Sequence, residues 1–388
     1  MKQMPKTVLA GYLVRFPIGG YAWQVAHYLL GLKALGCEVW FYEDTGFYSP
    51  AYNPITQEFG SSYNYGITAA GNFLQRIGFG DRWCFIDSER TVKYGPGANI
   101  VDQLLREADL LINLGGVNSI SLDRRAGRQS IYIDLDPGYT QLRLINGDAT
   151  LCSLLNEHQS LFTLGENIGT PASAIPTAGL DWIPTRQPVA IEVWENAGSP
   201  GHAYTTIGKW DSKGRDVEYQ GETFTWRKRT EWDRFLDLPA KTATIFEMAM
   251  DVESVPGDFE ILTGHGWHII DPISVSSDPW RYRDYLRQSR GEFTVAKDMN
   301  VRLRSGWFSD RAACYLAAGR PVVEQDTGFG DVLPVGPGLH AFNTIAEASE
   351  AVHMIESDYD RASAHASEVA REYFAADRVL GSLLSYIG

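Results

Sequence analysis

The sequence predicts an α/β protein with two doubly wound domains, each built on a parallel sheet, and with helices at its carboxyl end. Its 388 residues exceed the length at which one hydrophobic core usually stops growing. Strand patterns alternate with helical patterns along most of the chain, an order that produces parallel sheets. A stretch with four prolines, GTPASAIPTAGLDWIPTRQP, separates two such runs near Arg186.

The first half opens with a β-loop-α-β unit. KTVLAGYLV has the pattern of a buried strand, apolar residues at helical spacing follow it, and CEVWFYED predicts a second strand. ANIVDQLLREADLLINLGG predicts a helix and a strand, and RQSIYIDLDP and QSLFTLGENIG predict two more strands. We therefore assign residues 1–186 to an N-terminal Rossmann-like domain.

The second half repeats the alternation after a polar, aromatic stretch with glycine turns, YTTIGKWDSKGRDVEYQGETFTWRKRT. TATIFEMAM and GWHII predict strands, DPWRYRDYLRQS predicts a capped helix, and GEFTVA, SDRAACYLAAG and RPVVEQ predict a strand, a helix and a strand. Residues 187–365 form the second predicted Rossmann-like domain. Residues 366–388 are predicted to be helical and to cross back to the first domain.

Composition narrows the class of protein. A hydrophobic content of 44%, without a run of about 18 apolar residues, predicts a soluble protein with no membrane span. The start of the chain has no small-residue cleavage site after its apolar stretch, so we expect a cytoplasmic protein. A net charge of −14 argues against a nucleic-acid partner and leaves room for a small anionic ligand. The four cysteines are isolated, which favours reduced packing residues.

Two glycines mark a candidate ligand loop in the first half. In RFPIGGYAW, Gly19 and Gly20 allow the backbone to approach a ligand at the carboxyl end of a parallel strand. The dinucleotide fingerprint G-x-G-x-x-G is missing, so a nicotinamide oxidoreductase is disfavoured. His27, on the following helix, is either a packing residue or a base that faces the cleft.

A second candidate site lies in RSGWFSDRAACYLAAGRPVVEQDTGFG. Ser309 or Asp310 can cap a helix whose N–H groups and positive end suit an anion, and Arg302 and Arg304 precede that helix. The polar loop QDTG follows the next strand, where Asp326 could accept hydrogen bonds from sugar hydroxyls. The alternative is that Asp310 only caps the helix, Arg304 is a surface charge and QDTG is only a turn.

Two further motifs give weak metal signals. IDLDP, at 133–137, has the Asp-x-Asp pattern of a site for a metal-bound nucleotide, but it also fits a turn at a strand end. His265 and His268 are three residues apart and lack a clear third ligand. No metal site and no cofactor are therefore predicted.

Two segments together resemble the GT-B glycosyltransferases. IGGYAWQVAHYLLGLKALGCEVWFYED is similar to the opening of these two-domain enzymes, and YLAAGRPVVEQDTGFG is similar to their carboxyl-terminal nucleotide-sugar segment. The resemblance implies two facing Rossmann-like domains, a nucleotide-diphosphate sugar as donor on the second, a small-molecule or glycan acceptor on the first, and no essential metal. Matched by position, it implies donor-binding roles for Gly19, Gly20, Arg302, Ser305, Gly306, Gln325, Asp326, Thr327 and Gly328.

The sequence departs from that pattern at two positions. Cys314 stands where retaining members commonly have a glutamate, and Tyr21 stands where some members have a histidine base. The resemblance therefore implies donor binding without fixing the stereochemistry of transfer.

The expected activity is metal-independent glycosyl transfer to an unknown acceptor. The expected catalytic residues are Arg304 for the leaving diphosphate, Asp310 at the start of the helix, and His27. Other potential bases follow first-domain strands: Glu43, Asp44, Asp134 and Asp136. A sugar-nucleotide isomerase or epimerase of the same fold and a catalytically silent nucleotide-sugar binding protein are the alternatives.

Overall fold

A parallel sheet organises the first half of the chain. The computed structural model describes residues 5–120, 124 and 129–387. The strands of this half are β1 (Lys6–Ala10), β2 (Glu38–Asp44), β3 (Ala51–Asn53), β4 (Glu58–Gly60), β5 (Trp83–Asp87), β6 (Val92–Tyr94), β7 (Leu110–Leu114), β8 (Gln129–Asp134), β9 (Ser160–Thr163) and β10 (Trp182–Pro184). The helices are α1 (Gly19–Ala34), α2 (Asn64–Arg76), α3 (Val101–Glu107), α4 (Tyr139–Ile145) and α5 (Ala149–Asn156).

The strand order in this sheet is β10-β9-β8-β7-β1-β2-β5-β6, and its pairs are parallel except for β5 with β6. The order reverses between β1 and β7, and such a switch point opens a crevice at the carboxyl ends of the strands. The antiparallel hairpin β3-β4 lies outside the sheet.

A second parallel sheet organises the other half. Its strands are β11 (Ala203–Ile207), β14 (Ile245–Ala249), β15 (His268–Ile270), β16 (Gly291–Thr294), β17 (Val322–Gln325) and β18 (Leu339–Phe342), and a separate hairpin consists of β12 (Val217–Tyr219) and β13 (Glu222–Phe224). The helices are α6 (Ile191–Trp194), α7 (Arg229–Trp232), α8 (Leu238–Thr242), α9 (Asp258–Gly264), α10 (Pro272–Ser276), α11 (Pro279–Gln288), α12 (Asp298–Arg302), α13 (Asp310–Ala317), α14 (Ile345–Ser357), α15 (Tyr359–Val369) and α16 (Ala376–Ile387).

The order in this sheet is β15-β14-β11-β16-β17-β18, and the strands are parallel. Its switch point lies between β11 and β16, which are the central strands. The predicted α/β class with two doubly wound parallel sheets is confirmed.

Two segments of the chain pass side by side between the halves. The N–H of Val189 donates to the carbonyl of Phe374 at 2.7 Å, and the N–H of Ala376 donates to the carbonyl of Val189 at 2.9 Å. The α16 helix then packs on α1, where Ala376 and Leu380 lie against Gly31. The carboxyl-terminal helix therefore contacts the first domain. Within the described part of the chain, no helix has both the length and the apolar character needed to cross a bilayer.

The loop between β1 and α1 departs from the predicted strand. β1 ends at Ala10, because the N–H groups of Leu13, Val14 and Arg15 donate to the Glu43 carboxylate instead of to a neighbouring strand. Arg15 Nε also donates to Glu43, and both side chains are fully buried. This buried ion pair holds the loop at the switch point in one conformation.

Gly66 lets helix α2 approach the same loop closely. A methyl group at Gly66 would overlap the carbonyl oxygen of Val14, whereas Gly381 in α16 meets no atom closer than 3.9 Å. We expect Gly66→Ala to lower the free energy of unfolding by about 1–3 kcal/mol through overpacking. We expect the matched Gly381→Ala to raise it by about 0.5–1 kcal/mol, because alanine favours helix. Urea unfolding of both variants tests this, and equal shifts would contradict the steric argument.

Candidate active site

Arg311 ties helix α13 to the carboxyl ends of the central strands of the second sheet. Its guanidinium donates to the carbonyl of Ile207, to the hydroxyl of Thr294 at 2.9 Å and to the carboxylate of Glu292. Glu292 is fully buried, and only 11% of the Arg311 side chain is exposed. The Arg311 guanidinium therefore lies at the switch point between β11 and β16, where its charge is paired with that of Glu292.

Lys228, the residue before α7, adds a second cation. It interacts electrostatically with Arg311, Glu324, Lys297 and Glu292. Burial, reinforced by the charge of Arg311, lowers the pKa of Lys228 to about 7. Close to neutral pH, a small change in its surroundings therefore decides whether this ammonium group is charged.

Buried carboxylate oxygens without partners face these cations. Neither carboxylate oxygen of Glu324 has a partner that meets hydrogen-bond geometry among the described residues, although the backbone N–H of Ser309 interacts with this carboxylate, and Oε2 of Glu292 is also without a partner there. Burial, followed by the charge of Glu292, raises the pKa of Glu324 well above its usual value. Buried polar atoms are normally satisfied, so unsatisfied ones beside two cations indicate a place where a polar ligand binds.

The first turn of α1 faces this region from the first domain. Gly19 and Gly20 are the first two residues of the helix rather than part of the loop, and Gly19 packs against Tyr282 of α11 so closely that a Cβ atom would clash. Tyr21 follows them and is 38% exposed. Its hydroxyl interacts electrostatically with Asp136 and Asp310, and burial of the hydroxyl raises the pKa of Tyr21 to about 12, so it stays protonated.

Two carboxylates lie where the domains face each other. Asp310, the first residue of α13, accepts the N–H of Arg311 at 2.8 Å and lies 3.5 Å from Nε2 of Gln24 in α1. Burial raises the pKa of Asp310. Asp136, which follows β8, pairs with Lys297 at 3.3 Å and with Arg215 at 3.7 Å. Both carboxylates are therefore near Tyr21, and Asp136 is neutralised by cations from the second domain.

The other potential bases after first-domain strands are held in the fold. Glu43 accepts three backbone N–H groups and Arg15. Asp44 is buried and accepts hydrogen bonds from Tyr42, Gly46 and Ser119.

Asp134 is also held in the fold. It is fully buried and accepts hydrogen bonds from Thr140, Gln141 and Thr163, and burial raises its pKa to about 6. Asp136 is the one of the four that reaches the cleft.

His27 is a packing residue, which corrects its expected role as a base. Only 4% of it is exposed, and burial lowers its pKa to about 3. The N–H of Ala190 donates to Nδ1 at 3.1 Å, while Trp194 Nε1 and Cys314 Sγ lie 3.3 and 3.5 Å from Nε2. With both ring nitrogens in contact with protein groups, the imidazole cannot take a proton from an acceptor.

Arg302 and Arg304 are engaged in ion pairs outside the cation cluster. Arg302 pairs with Glu222 and with Asp298 at 3.2 Å, so it ties the β12-β13 hairpin to α12. Arg304 donates to Asp326 at 3.2 Å and to Asp331 at 3.0 Å, and its side chain is 45% exposed. These contacts give the two arginines structural partners and argue against the expected role of Arg304 at the leaving diphosphate.

The neighbouring predicted donor residues join the two domains. The carbonyl of Ser305 accepts the N–H of Asn167 at 3.0 Å. Gly306 packs against Asn167 so closely that a Cβ atom would lie 2.7 Å from its backbone nitrogen. The amide of Asn167 also donates to the carbonyl of Gly328 at 3.0 Å. Ser305, Gly306 and Gly328 are therefore occupied by a first-domain loop.

The loop after β17 is closed by its own hydrogen bonds. Gln325 is fully buried, donates to Glu231 and accepts the N–H of Ala296 at 3.0 Å. Thr327 is also fully buried and donates to the carbonyl of Trp307. Asp326 accepts the N–H of Gly328 at 2.8 Å as well as Arg304. The side chains of this loop are therefore held by contacts within the protein.

Sequence reasoning missed Lys228, Lys297, Arg311 and Glu324. Glu324 and Glu292 did have a signal in the sequence, because PVVEQ and GEFT each place a glutamate in a predicted buried strand, where a charge is uncommon without a partner. The sequence around Lys228, Lys297 and Arg311 contains no comparable signal for a site.

The weak metal motifs do not form a metal site in the described part of the chain. His265 pairs with exposed Asp237 at 2.8 Å, and among the described residues no three His, Cys, Asp or Glu side chains cluster as metal ligands.

Comparison with solved structures identifies the architecture. An alpha-glucosyltransferase in complex with UDP and a 13-mer DNA containing a central A:G mismatch matches over 100% of both chains, with 11% identity and a TM-score of 0.59. AviGT4, a glycosyltransferase involved in avilamycin A biosynthesis, matches over 98% of this chain and 96% of its own, with 12% identity and a TM-score of 0.54.

Alr3699/HepE from Anabaena, in complex with UDP, matches over 99% of this chain and 100% of its own, with 12% identity and a TM-score of 0.55. No protein-family model and no curated protein sequence matches the chain. These matches span nearly the whole of each chain and therefore report a shared fold. The chain therefore has the two-domain GT-B fold of these glycosyltransferases.

Proposed function

We propose that this protein is a glycosyltransferase that moves a sugar from a nucleotide-diphosphate donor to an acceptor bound on the first domain. The observation that carries the proposal is the cluster of Lys228, Arg311 and the unpartnered oxygens of Glu324 at the switch point of the second sheet. Two of the three structural neighbours described above were solved with UDP, so UDP is the first donor nucleotide to test.

The donor diphosphate would bind between the second-domain cations. Lys228 and Arg311 supply positive charge, and the start of α13 supplies the positive end of the helix dipole. Lys297 can add charge from the side of Asp136. Fixed cations of this kind stabilise a leaving diphosphate in the way a bound metal would, so we propose metal-independent transfer.

The buried glutamates would hold the hydroxyl groups of the donor. Neither oxygen of Glu324 accepts a side-chain hydrogen bond among the described residues, and a hydroxyl group can donate to such a carboxylate. Glu324 and Lys228 interact electrostatically. A ligand that carries both a diphosphate and a hydroxyl group would therefore bind both side chains, the diphosphate at Lys228 and the hydroxyl at Glu324. A nucleotide sugar or a ribose diphosphate has this combination of groups.

Asp310 is the carboxylate best placed to take the proton of the acceptor hydroxyl. It lies at the start of α13, faces Gln24 and Tyr21 of the first domain, and has a pKa raised by burial. A base with a raised pKa accepts a proton more effectively near neutral pH. Tyr21 remains protonated and can donate a hydrogen bond to the acceptor or to the sugar.

A thermal-shift screen tests the donor assignment. Purified protein is heated with UDP, GDP, dTDP or ADP and with their sugar conjugates, with and without EDTA. We expect one diphosphate to raise the Tm with the same shift in EDTA, because a ligand that binds the native state stabilises it by mass action. Slow hydrolysis of the matching donor would identify a transferase, whereas binding without turnover would identify a nucleotide-sugar binding protein.

Affinity for the nucleotide should depend on pH through Lys228. Because its pKa in the empty protein is lowered to about 7, we expect the UDP affinity to fall by up to about tenfold per pH unit as pH rises above 7. Diphosphate and phosphate groups are already ionised in that range. Calorimetric titration between pH 7 and 9 measures the effect. Lys228→Arg, which stays charged, should flatten the profile, and an equal slope in both proteins would contradict the assignment.

A further inference from the structure

An aromatic surface covers the first-domain side of the cleft. Its centre is Phe16, in the loop between β1 and α1, and its ring centroid lies 5.2 to 6.5 Å from those of five neighbours. We call the six rings the aromatic platform: Tyr12, Phe16, Tyr21, Tyr48, Tyr52 and Phe59. Tyr48 and Tyr52 lie nearly parallel to Phe16, with interplanar angles of 23° and 20°.

Much of this platform is open to solvent. Phe59 is 56% exposed, Tyr48 is 41% exposed and Tyr21 is 38% exposed. Large apolar side chains scattered singly on a surface are ordinary, but a contiguous exposed group of them marks a binding site. Phe59 lies on the hairpin β3-β4, which stands apart from the sheet and carries part of the platform.

The platform is rigid before any ligand arrives. The Glu43 carboxylate anchors the backbone of its central loop, and the N–H of Tyr52 donates to the carbonyl of Arg15 at 2.8 Å. The Arg15 guanidinium lies 4.5 Å from the ring centroid of Tyr12 and donates to the carbonyl of Tyr48 at 2.8 Å. A preorganised surface of this kind loses little entropy when it binds a ligand.

The platform continues into the proposed reaction site. Tyr21 is one of its six rings and also interacts electrostatically with Asp310 and Asp136. Tyr12 interacts with Arg215, and Tyr52 interacts with Asp251 and Asp271, so all three rings face groups of the second domain. A molecule lying on the platform can therefore present a hydroxyl group to Asp310.

Resting on the proposed function, we infer that the aromatic platform binds a neutral glycan as the acceptor. Aromatic faces pack against the C–H faces of sugar rings, and the four tyrosine hydroxyls can exchange hydrogen bonds with sugar hydroxyls. A purely hydrocarbon acceptor would leave those hydroxyls without partners wherever it excluded water.

The charges around the platform disfavour a nucleic acid. The acidic residues Asp251 and Asp271 face Tyr52, and a phosphate backbone needs clustered cations instead. Two arginines near the platform are already engaged: Arg15 is fully buried and is used by Glu43 and by the carbonyls of Tyr48 and Val117, and Arg215 is paired with Asp136. Base stacking on the rings would therefore lack the electrostatic support that single-stranded nucleic-acid sites have.

Calorimetric titration of the whole protein, with and without UDP, tests the platform. The probes are maltohexaose, cellohexaose, chitohexaose and an oligothymidylate. Variants Phe59→Ala and Tyr48→Ala each remove one exposed ring, and Phe259→Ala removes a ring that is 36% exposed on α9 as the matched control. We expect a hexasaccharide to bind, and its affinity to fall at least about tenfold in each platform variant, equivalent to about 1.4 kcal/mol. Phe259→Ala should have no effect, and UDP affinity should be unchanged throughout.

Three results would overturn the inference. One is that no hexasaccharide binds at millimolar concentration while UDP does bind. Another is glycan binding that Phe59→Ala and Tyr48→Ala leave unchanged. The third is Phe59-dependent binding of the oligothymidylate in place of a glycan. Ring-dependent glycan binding without any binding of nucleotide diphosphates would support the platform and overturn the proposed transfer reaction instead.

Discussion

Replacing Asp310 with asparagine should lower the rate of donor hydrolysis by about 10²–10⁴-fold, which is the usual contribution of a positioned general base. Water can take the place of the acceptor, so the assay needs only the donor found in the thermal-shift screen. The carboxamide keeps the size of the side chain and loses the basic oxygen. The UDP affinity should not weaken, because Asp310 carries negative charge and the diphosphate is bound by Lys228 and Arg311.

Asp136→Asn is the matched comparison for this variant. Asp136 is paired with Lys297 and Arg215, so its carboxylate is already neutralised and its removal should slow hydrolysis less than removal of Asp310. If Asp310→Asn retained a rate within about threefold of the wild type, or if Asp136→Asn were the slower enzyme, Asp310 would not be the base.

Arg311→Ala should lower the free energy of unfolding by about 3–5 kcal/mol. The substitution leaves Glu292 fully buried without its cation, and breaking one side of a buried ion pair carries a cost of this size. It also removes the donors to Ile207 and Thr294 that hold α13 against the strand ends. Urea unfolding followed by tryptophan fluorescence measures the change.

An exposed ion pair provides the control for Arg311. Arg371 lies 3.3 Å from Glu195 with 56% of its side chain exposed, so Arg371→Ala should cost less than about 1 kcal/mol. Arg311→Ala combined with Glu292→Ala should recover part of the loss, because no buried charge then remains unpaired. Equal effects of the two single arginine variants would show that the Arg311–Glu292 pair does not stabilise the second domain as described.

Local patterns predicted most of the architecture. The first β-loop-α-β unit, the helix capped by Ser309 and the strand after it have the periodicity and end signals that the structure contains. The hairpins β3-β4 and β12-β13 were not assigned, since their three-residue strands are too short for a periodic pattern. The first hairpin carries Phe59, so part of the proposed acceptor surface was also missed.

The site was harder to predict, because its charges come from distant segments. Arg304 stands before a helix that suits an anion, and sequence spacing cannot show that Asp326 and Asp331 neutralise it. Lys228 precedes α7 and Arg311 lies in α13. The two side chains come close enough to interact only after β11, β16 and β17 have assembled side by side. His27 shows the reverse case, because a residue with the right chemistry becomes inert through burial between the domains.

Calorimetric titration of UDP into the wild type, Lys228→Met and Arg304→Ala tests whether the Lys228–Arg311 cluster binds the diphosphate. We expect Lys228→Met to weaken UDP binding by about 1.5–3 kcal/mol, the value of a hydrogen bond to a charged group, and Arg304→Ala to leave it unchanged. If Lys228→Met bound UDP like the wild type while Arg304→Ala lost affinity, the diphosphate would lie beside the exposed arginine and not at the Lys228–Arg311 cluster.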